Sequence, residues 1–314
     1  MPVDVRARRR YTAAVLGEYA APEPTGVPEA DPVVRGVVTD VSRHVLGVAT
    51  SRGEERFLFE AATTFWRGGE VGVSDLRVGD DVLVRCRAGR WVAERIWAGI
   101  ARVTGVIAGS SGEELEVDTG HTGGRRAVVV PYRVSGRIGV RHPVPEPGYL
   151  FDAIGVWEDG AFHASVPATT QPPFAVWDAA PPKAPAAVGG RVRGTVSWYD
   201  PAVGDPAQGD LRGAAYPALD RESDCGPECD RVRACRPLPL LSLGTTVGVR
   251  NECADRSAVL PLVDCAAVSS RFCDRCADCG GGEEGRIAQL TLASFLALGG
   301  RPETGCFAAT LAVG

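Results

Sequence analysis

Lysine is almost missing from this sequence: Lys183 is the only one, and arginine carries the rest of the positive charge. The formal net charge is -5, and no basic stripe occurs beyond Arg6, Arg8, Arg9 and Arg10. Following a phosphate backbone needs clustered cations, so no nucleic acid partner is expected. The four early arginines read more readily as a solvated terminus than as a contact for an acidic partner. No run of about 18 apolar residues is present, so no membrane-spanning helix is expected. Histidine is scarce: His44, His121, His142 and His163 stand singly, without metal-ligand spacing, and none follows His163. No nucleotide cofactor is expected. The apolar run Tyr11–Gly17 is short and interrupted by Glu18 and Tyr19, a poor signal-peptide core, so a cytoplasmic site is the default.

Turn-formers are plentiful. With 39 glycines and 23 prolines in 314 residues, many short strands are expected rather than long helices. The expected class is mostly β, in several domains. Residues 1–32 read as an arm ending in the proline-rich Ala21–Gly26. From Val33 onward come alternating segments at Val33–Val38, Leu46–Thr50, Arg56–Phe59, Asp81–Cys86 and Trp91–Trp97, which suit a small closed barrel over 33–100. A second copy follows over 101–168. Val103-Thr104-Gly105-Val106-Ile107 echoes Val34-Arg35-Gly36-Val37-Val38, and each copy ends in a hairpin turning at glycine. Two tandem OB-like barrels are therefore expected. Trp66, Trp91, Trp97, Trp157 and Phe162 could form stacking platforms for an oligomeric ligand, although aromatics in small barrels more often fill the core.

Residues 169–190 carry Pro172, Pro173, Pro181, Pro182 and Pro185 before Gly189-Gly190, a pattern that predicts a semi-rigid spacer holding the last domain at a distance. That domain, 191–314, opens with Gly194-Thr195-Val196-Ser197-Trp198-Tyr199. It continues through Leu243-Gly244-Thr245-Thr246-Val247-Gly248-Val249-Arg250-Asn251, Val263-Asp264-Cys265 and Gly285-Arg286-Ile287-Ala288-Gln289-Leu290-Thr291. An apolar, helix-spaced set between Gln289 and Leu298, ended by Gly299 and Gly300, predicts one short helix.

In order and spacing these segments resemble the rare lipoprotein A and expansin group of double-psi β-barrels, over about two fifths of the chain. The resemblance implies a double-psi barrel that binds glycan strands, with Trp198 and Tyr199 stacking on the ligand. It also implies a possible peptidoglycan-cleaving activity. Glycosidic cleavage needs a proton donor and an anionic group at the transition state. Asp264 matches the first acid of the family pattern. The second acid is replaced by Gln289, which exchanges no proton at neutral pH, and the domain has no histidine. The resemblance therefore leans towards a non-catalytic barrel.

Nine of the 10 cysteines fall in this domain; Cys86, in a strand, reads as a small buried residue. Cys225, Cys229 and Cys235 form one group and Cys273, Cys276 and Cys279 another. Each group could join a distant cysteine to hold zinc or an iron–sulfur cluster. The competing reading is a disulfide framework, which would move the expected location to the cell envelope or outside the cell. Asp224, Asp230, Asp274 and Asp278 flank the groups and read as loop-solvating residues. Three function classes follow: a binding or structural protein holding a glycan or protein partner, a lytic transglycosylase using Asp264, and a Cys-ligated metalloprotein scaffold in a larger assembly.

Overall fold

The computed structural model describes residues 33–87, 91–120, 123–158, 160–171, 173, 175–176, 190–203, 206–220, 223, 235, 237–266, 268–277 and 285–313. The expected arm at 1–32, most of the proline-rich stretch, and Cys225, Cys229 and Cys279 lie outside these. Strand dominates, as expected, in three successive units.

The first unit contains β1 (Val33–Val41), β2 (Val45–Thr50), β3 (Gly53–Leu58), β4 (Thr64–Trp66), β5 (Glu70–Val71), β6 (Asp81–Cys86) and β7 (Ala93–Ala98). They form one sheet in the order β3-β2-β1-β6-β7-β4-β5. This is an open sheet in place of the closed barrel expected over 33–100, because β4 and β5 extend it past β7; a single parallel bridge, Leu58 to Val92, joins the end of β3 to the approach of β7. The second unit is a closed barrel of β8 (Ile100–Ser111), β9 (Glu114–Asp118), β10 (Arg125–Val129), β11 (Leu150–Glu158) and β12 (Ala161–Pro167), in the cyclic order β10-β12-β11-β8-β9. Helix α1 (Tyr132–Gly139), absent from the sequence expectation, links β10 to β11.

The repeat extends to register. Val38 pairs with Val48 before a bulge to Asp40, and Ile107 pairs with Val117 before a bulge to Gly109. Both copies need glycine at the same point: a Cβ at Gly36 would collide with the Ala49 carbonyl, and one at Gly105 with the Asp118 carbonyl. Trp66, Trp97 and Phe162 are buried, as core packing requires, whereas Trp91 and Trp157 keep 62% and 36% exposure.

The third unit is a closed six-stranded barrel of β13 (Gly190–Tyr199), β14 (Ala214–Tyr216), β15 (Thr246–Asn251), β16 (Arg256–Cys265), β17 (Arg286–Thr291) and β18 (Cys306–Val313). Their order is β13-β17-β14-β16-β15-β18, with β13 parallel to β17 and β14 parallel to β16. Helix α2 (Leu292–Ala297) starts later than the sequence suggests, because Gln289 to Thr291 belong to β17. Thr291 caps it, its hydroxyl accepting from the Ser294 amide.

The expected spacing between units is overturned: the third barrel packs directly on both of its predecessors. Trp66, Trp97, Ile100, Ile154 and Ala168 share one buried apolar cluster with Val196, Trp198, Leu290 and Phe295. Arg35 makes a two-pronged contact to Asp200 at 3.0 and 2.9 Å, and Trp97 Nε1 donates to Glu303 at 2.7 Å. Proline fixes local chain direction but does not oppose the burial of apolar faces, and here burial brings the units together.

Candidate functional site

Alternation along β13 sends Val196 and Trp198 into the apolar core and leaves Ser197 and Tyr199 on the opposite, outer face. The ladders place Ser197 beside Gln289, Gln289 beside Ala215, and Ala215 beside Asp264. One outer row thus runs Ser197, Gln289, Ala215, Asp264 over four strands. With strands about 4.8 Å apart, Asp264 and Gln289 stand about 10 Å apart at the backbone, with a methyl group between them.

Asp264 is half-buried, and one of its carboxylate oxygens accepts the Cys265 amide at 2.8 Å. Tyr199 is half-buried; burial, and then the negative charge of Asp264, push its hydroxyl well above the ordinary phenol range. Ser197, Ala215 and Gln289 are buried. Trp198 is fully buried, its ring 6.5 Å from that of Phe295 and its Nε1 donating to the Pro302 carbonyl at 3.0 Å. It presents no face on which a ligand could stack.

A cysteine-bearing segment runs over the same outer face. After β16 the chain makes a 3-10 turn at Ser269–Arg271, which packs on β17. The Phe272 carbonyl then accepts the Arg286 amide at 3.1 Å, and the Cys276 amide donates to Thr195 Oγ1 at 3.1 Å. Disulfides fasten the segment: Cys235 to Cys273, with Cα atoms 5.3 Å apart, and Cys276 to Cys306, 5.7 Å apart. Cys253 and Cys265 are disulfide-bonded as well. Cys86 is buried in β6 as its strand position suggests, its thiol donating to the Val84 carbonyl at 4.0 Å. Of the two sequence readings, the disulfide framework fits the described cysteines, and no group able to hold a metal ion occurs among the described residues. Three of the candidate metal ligands, Cys235, Cys273 and Cys276, have their sulfurs committed to disulfides. Disulfides persist in oxidising surroundings, which favours a site outside the cytoplasm over the default drawn from the N-terminal residues.

Asp274 departs from its expected role as a loop-solvating residue. It is 5% exposed and accepts from Arg286 at 3.1 and 2.8 Å and from Thr169 Oγ1 at 2.6 Å. Arg286 also meets Asp152 of the second barrel at 2.6 Å, and Asp152 in turn takes two bonds from Arg102, at 2.9 and 2.6 Å. Burial pushes the Asp152 carboxyl up, but Arg102 and Arg286 outweigh it and hold the group below the usual carboxylate range. These four charges were missed because each looks ordinary in sequence. The available signal was a charge set in an apolar strand, as in Leu150-Phe151-Asp152-Ala153-Ile154; strand charges flanked this way need buried partners.

No protein-family model and no curated protein matches the sequence. No described helix is long and apolar enough to cross a membrane.

Proposed function

We propose that this is a non-catalytic binding protein of an oxidising compartment, whose C-terminal barrel holds a glycan of the peptidoglycan type. The reading rests on one observation: across Ala215, the residue opposite Asp264 is the amide Gln289. Hydrolysis or transglycosylation of a glycosidic bond calls on an acid together with an anionic stabiliser or base. An amide can orient a sugar hydroxyl through its hydrogen bonds but cannot exchange the proton. The resemblance to the rare lipoprotein A and expansin barrels supplies the ligand class. Tyr199 and Asp264, the half-buried members of the outer face, are the contacts proposed for it, in place of the sealed Trp198. The disulfides support an extracellular or envelope location.

Purified full-length protein is incubated with insoluble peptidoglycan, and both co-sedimentation and clearing are followed. The proposal expects sedimentation with the glycan, weakened in Tyr199→Ala, and no clearing. Clearing by the wild type that disappears in Asp264→Asn would establish a transglycosylase and remove the proposal, as would failure to sediment.

A further inference from the structure

We propose that the Cys235–Cys273 and Cys276–Cys306 disulfides act as a two-stage redox latch on the contact between the second and third barrels. Asp274 lies between the two bonded positions, one residue after Cys273 and two before Cys276. Among the described residues it carries the only carboxylate of the third barrel in the buried cluster with Arg286, Asp152 and Arg102, whose side chains are 4%, 1%, 0% and 1% exposed in that order. With Asp274 in place the cluster holds two positive and two negative charges. Without it, two guanidiniums face one carboxylate in a site closed to water.

The segment bearing Asp274 belongs to no strand or helix. Its backbone meets Arg286 at Phe272, Gly285 and the Thr195 hydroxyl at Asp274, the Thr170 hydroxyl at Arg275, the Thr195 hydroxyl at Cys276 and the Gln171 side chain at Cys273. The two disulfides add a covalent tie on either side of Asp274. They differ in access: Cys235 and Cys306 are both half-buried, but Cys273 is exposed while Cys276 is 2% exposed. A dithiol reductant attacks an accessible sulfur first. Its thiolate forms a mixed disulfide, and its second thiol then displaces the protein sulfur. Two electrons and two protons pass to the cysteine pair, and the reductant leaves as its own disulfide. Cys235–Cys273 opens first and frees one end of the segment. Cys276–Cys306 opens second and releases the segment from β18. With both ties gone the segment opens more readily, and each opening that carries Asp274 away from Arg286 leaves a buried charge short of its partner and loosens the contact between the second and third barrels. The latch is independent of which ligand the outer face holds.

The test titrates the full-length protein with dithiothreitol, trapping thiols by alkylation and identifying them by mass spectrometry. Hydrogen exchange at the Gln171 amide, small-angle scattering and far-ultraviolet circular dichroism are followed in parallel. The expected result is that Cys235–Cys273 opens before Cys276–Cys306. With the second step, exchange rises roughly a hundredfold and the radius of gyration increases, while the strand signal is kept. Asp274→Asn, with its disulfides intact, is expected to show the same opening without reductant. The latch is refuted by the reverse order of opening, by unchanged scattering and exchange after both pairs open, by strand signal lost in step with reduction, or by an Asp274→Asn protein as closed as the wild type.

Discussion

Arg286 of the third barrel and Asp152 of the second meet at 2.6 Å, with side chains 1% and 0% exposed, so the two units are joined by an ion pair from which water is shut out. A buried charge left alone is costly, and the pair is coupled to Arg102 on one side and Asp274 on the other. Replacing Asp152 by Asn removes the central negative charge and leaves both guanidiniums short of a partner. The expected loss is about 3–5 kcal/mol of unfolding free energy, measured by urea denaturation. A loss below about 1 kcal/mol would mean that the cluster relaxes or admits water.

The same carboxylate sets a limit in acid. Its folded pKa lies below that of the unfolded chain, so its contribution is complete above the unfolded value, about 3.9 for aspartate, and is lost as pH falls through the folded value. His142 acts at milder pH. It is buried, with Nε2 3.1 Å from the Asp152 carbonyl and its ring against Phe151, and burial lowers its pKa. Below about pH 6.5 the unfolded chain binds a proton that the folded chain refuses. Melting temperature is therefore expected to fall between pH 7 and pH 5, and the slope should flatten in His142→Gln. Identical slopes in the two proteins would rule this out.

Gly36 and Gly105 occupy equivalent points in the first two units, each against a carbonyl of the next strand. Alanine at either position forces the strands apart two residues before a bulge. Each substitution should cost about 1–3 kcal/mol, and the similarity of the two losses, read from paired thermal melts, tests the structural repeat directly.

Trp198 separates packing from recognition. Because its ring is sealed between Phe295 and the barrel interior, Trp198→Ala should cost about 3–5 kcal/mol of stability. Any folded fraction should retain glycan co-sedimentation, while Tyr199→Ala should show the opposite pattern. Weakened glycan binding with undiminished stability in the Trp198 variant would restore it as a contact residue.

Much of the architecture is legible in the sequence. Alternating apolar residues and glycine turns mark most of the strands, and the echo of Val34–Val38 in Val103–Ile107 marks the repeat down to its bulge. Helix α1 was hidden because Tyr132–Gly139 contains two glycines and presents one buried side chain, Ile138. The covering of the outer row was hidden as well. The seat of Ser269–Cys276 on β13 and β17 depends on pairing with Cys235 and Cys306, 38 and 30 residues away from their partners, and spacing alone leaves such connectivity open.

What the sequence determines by itself is periodic and local: strands, turns, and the echo between the first two units. What the tertiary structure decides is which distant residues share a dry environment. Trp198 becomes core, Asp274 becomes one of four interlocked charges, and the third barrel abuts the other two. The physical reason is that burial is a property of the assembled chain: the same aspartate is inexpensive in water and demands a guanidinium once neighbouring strands exclude water from it.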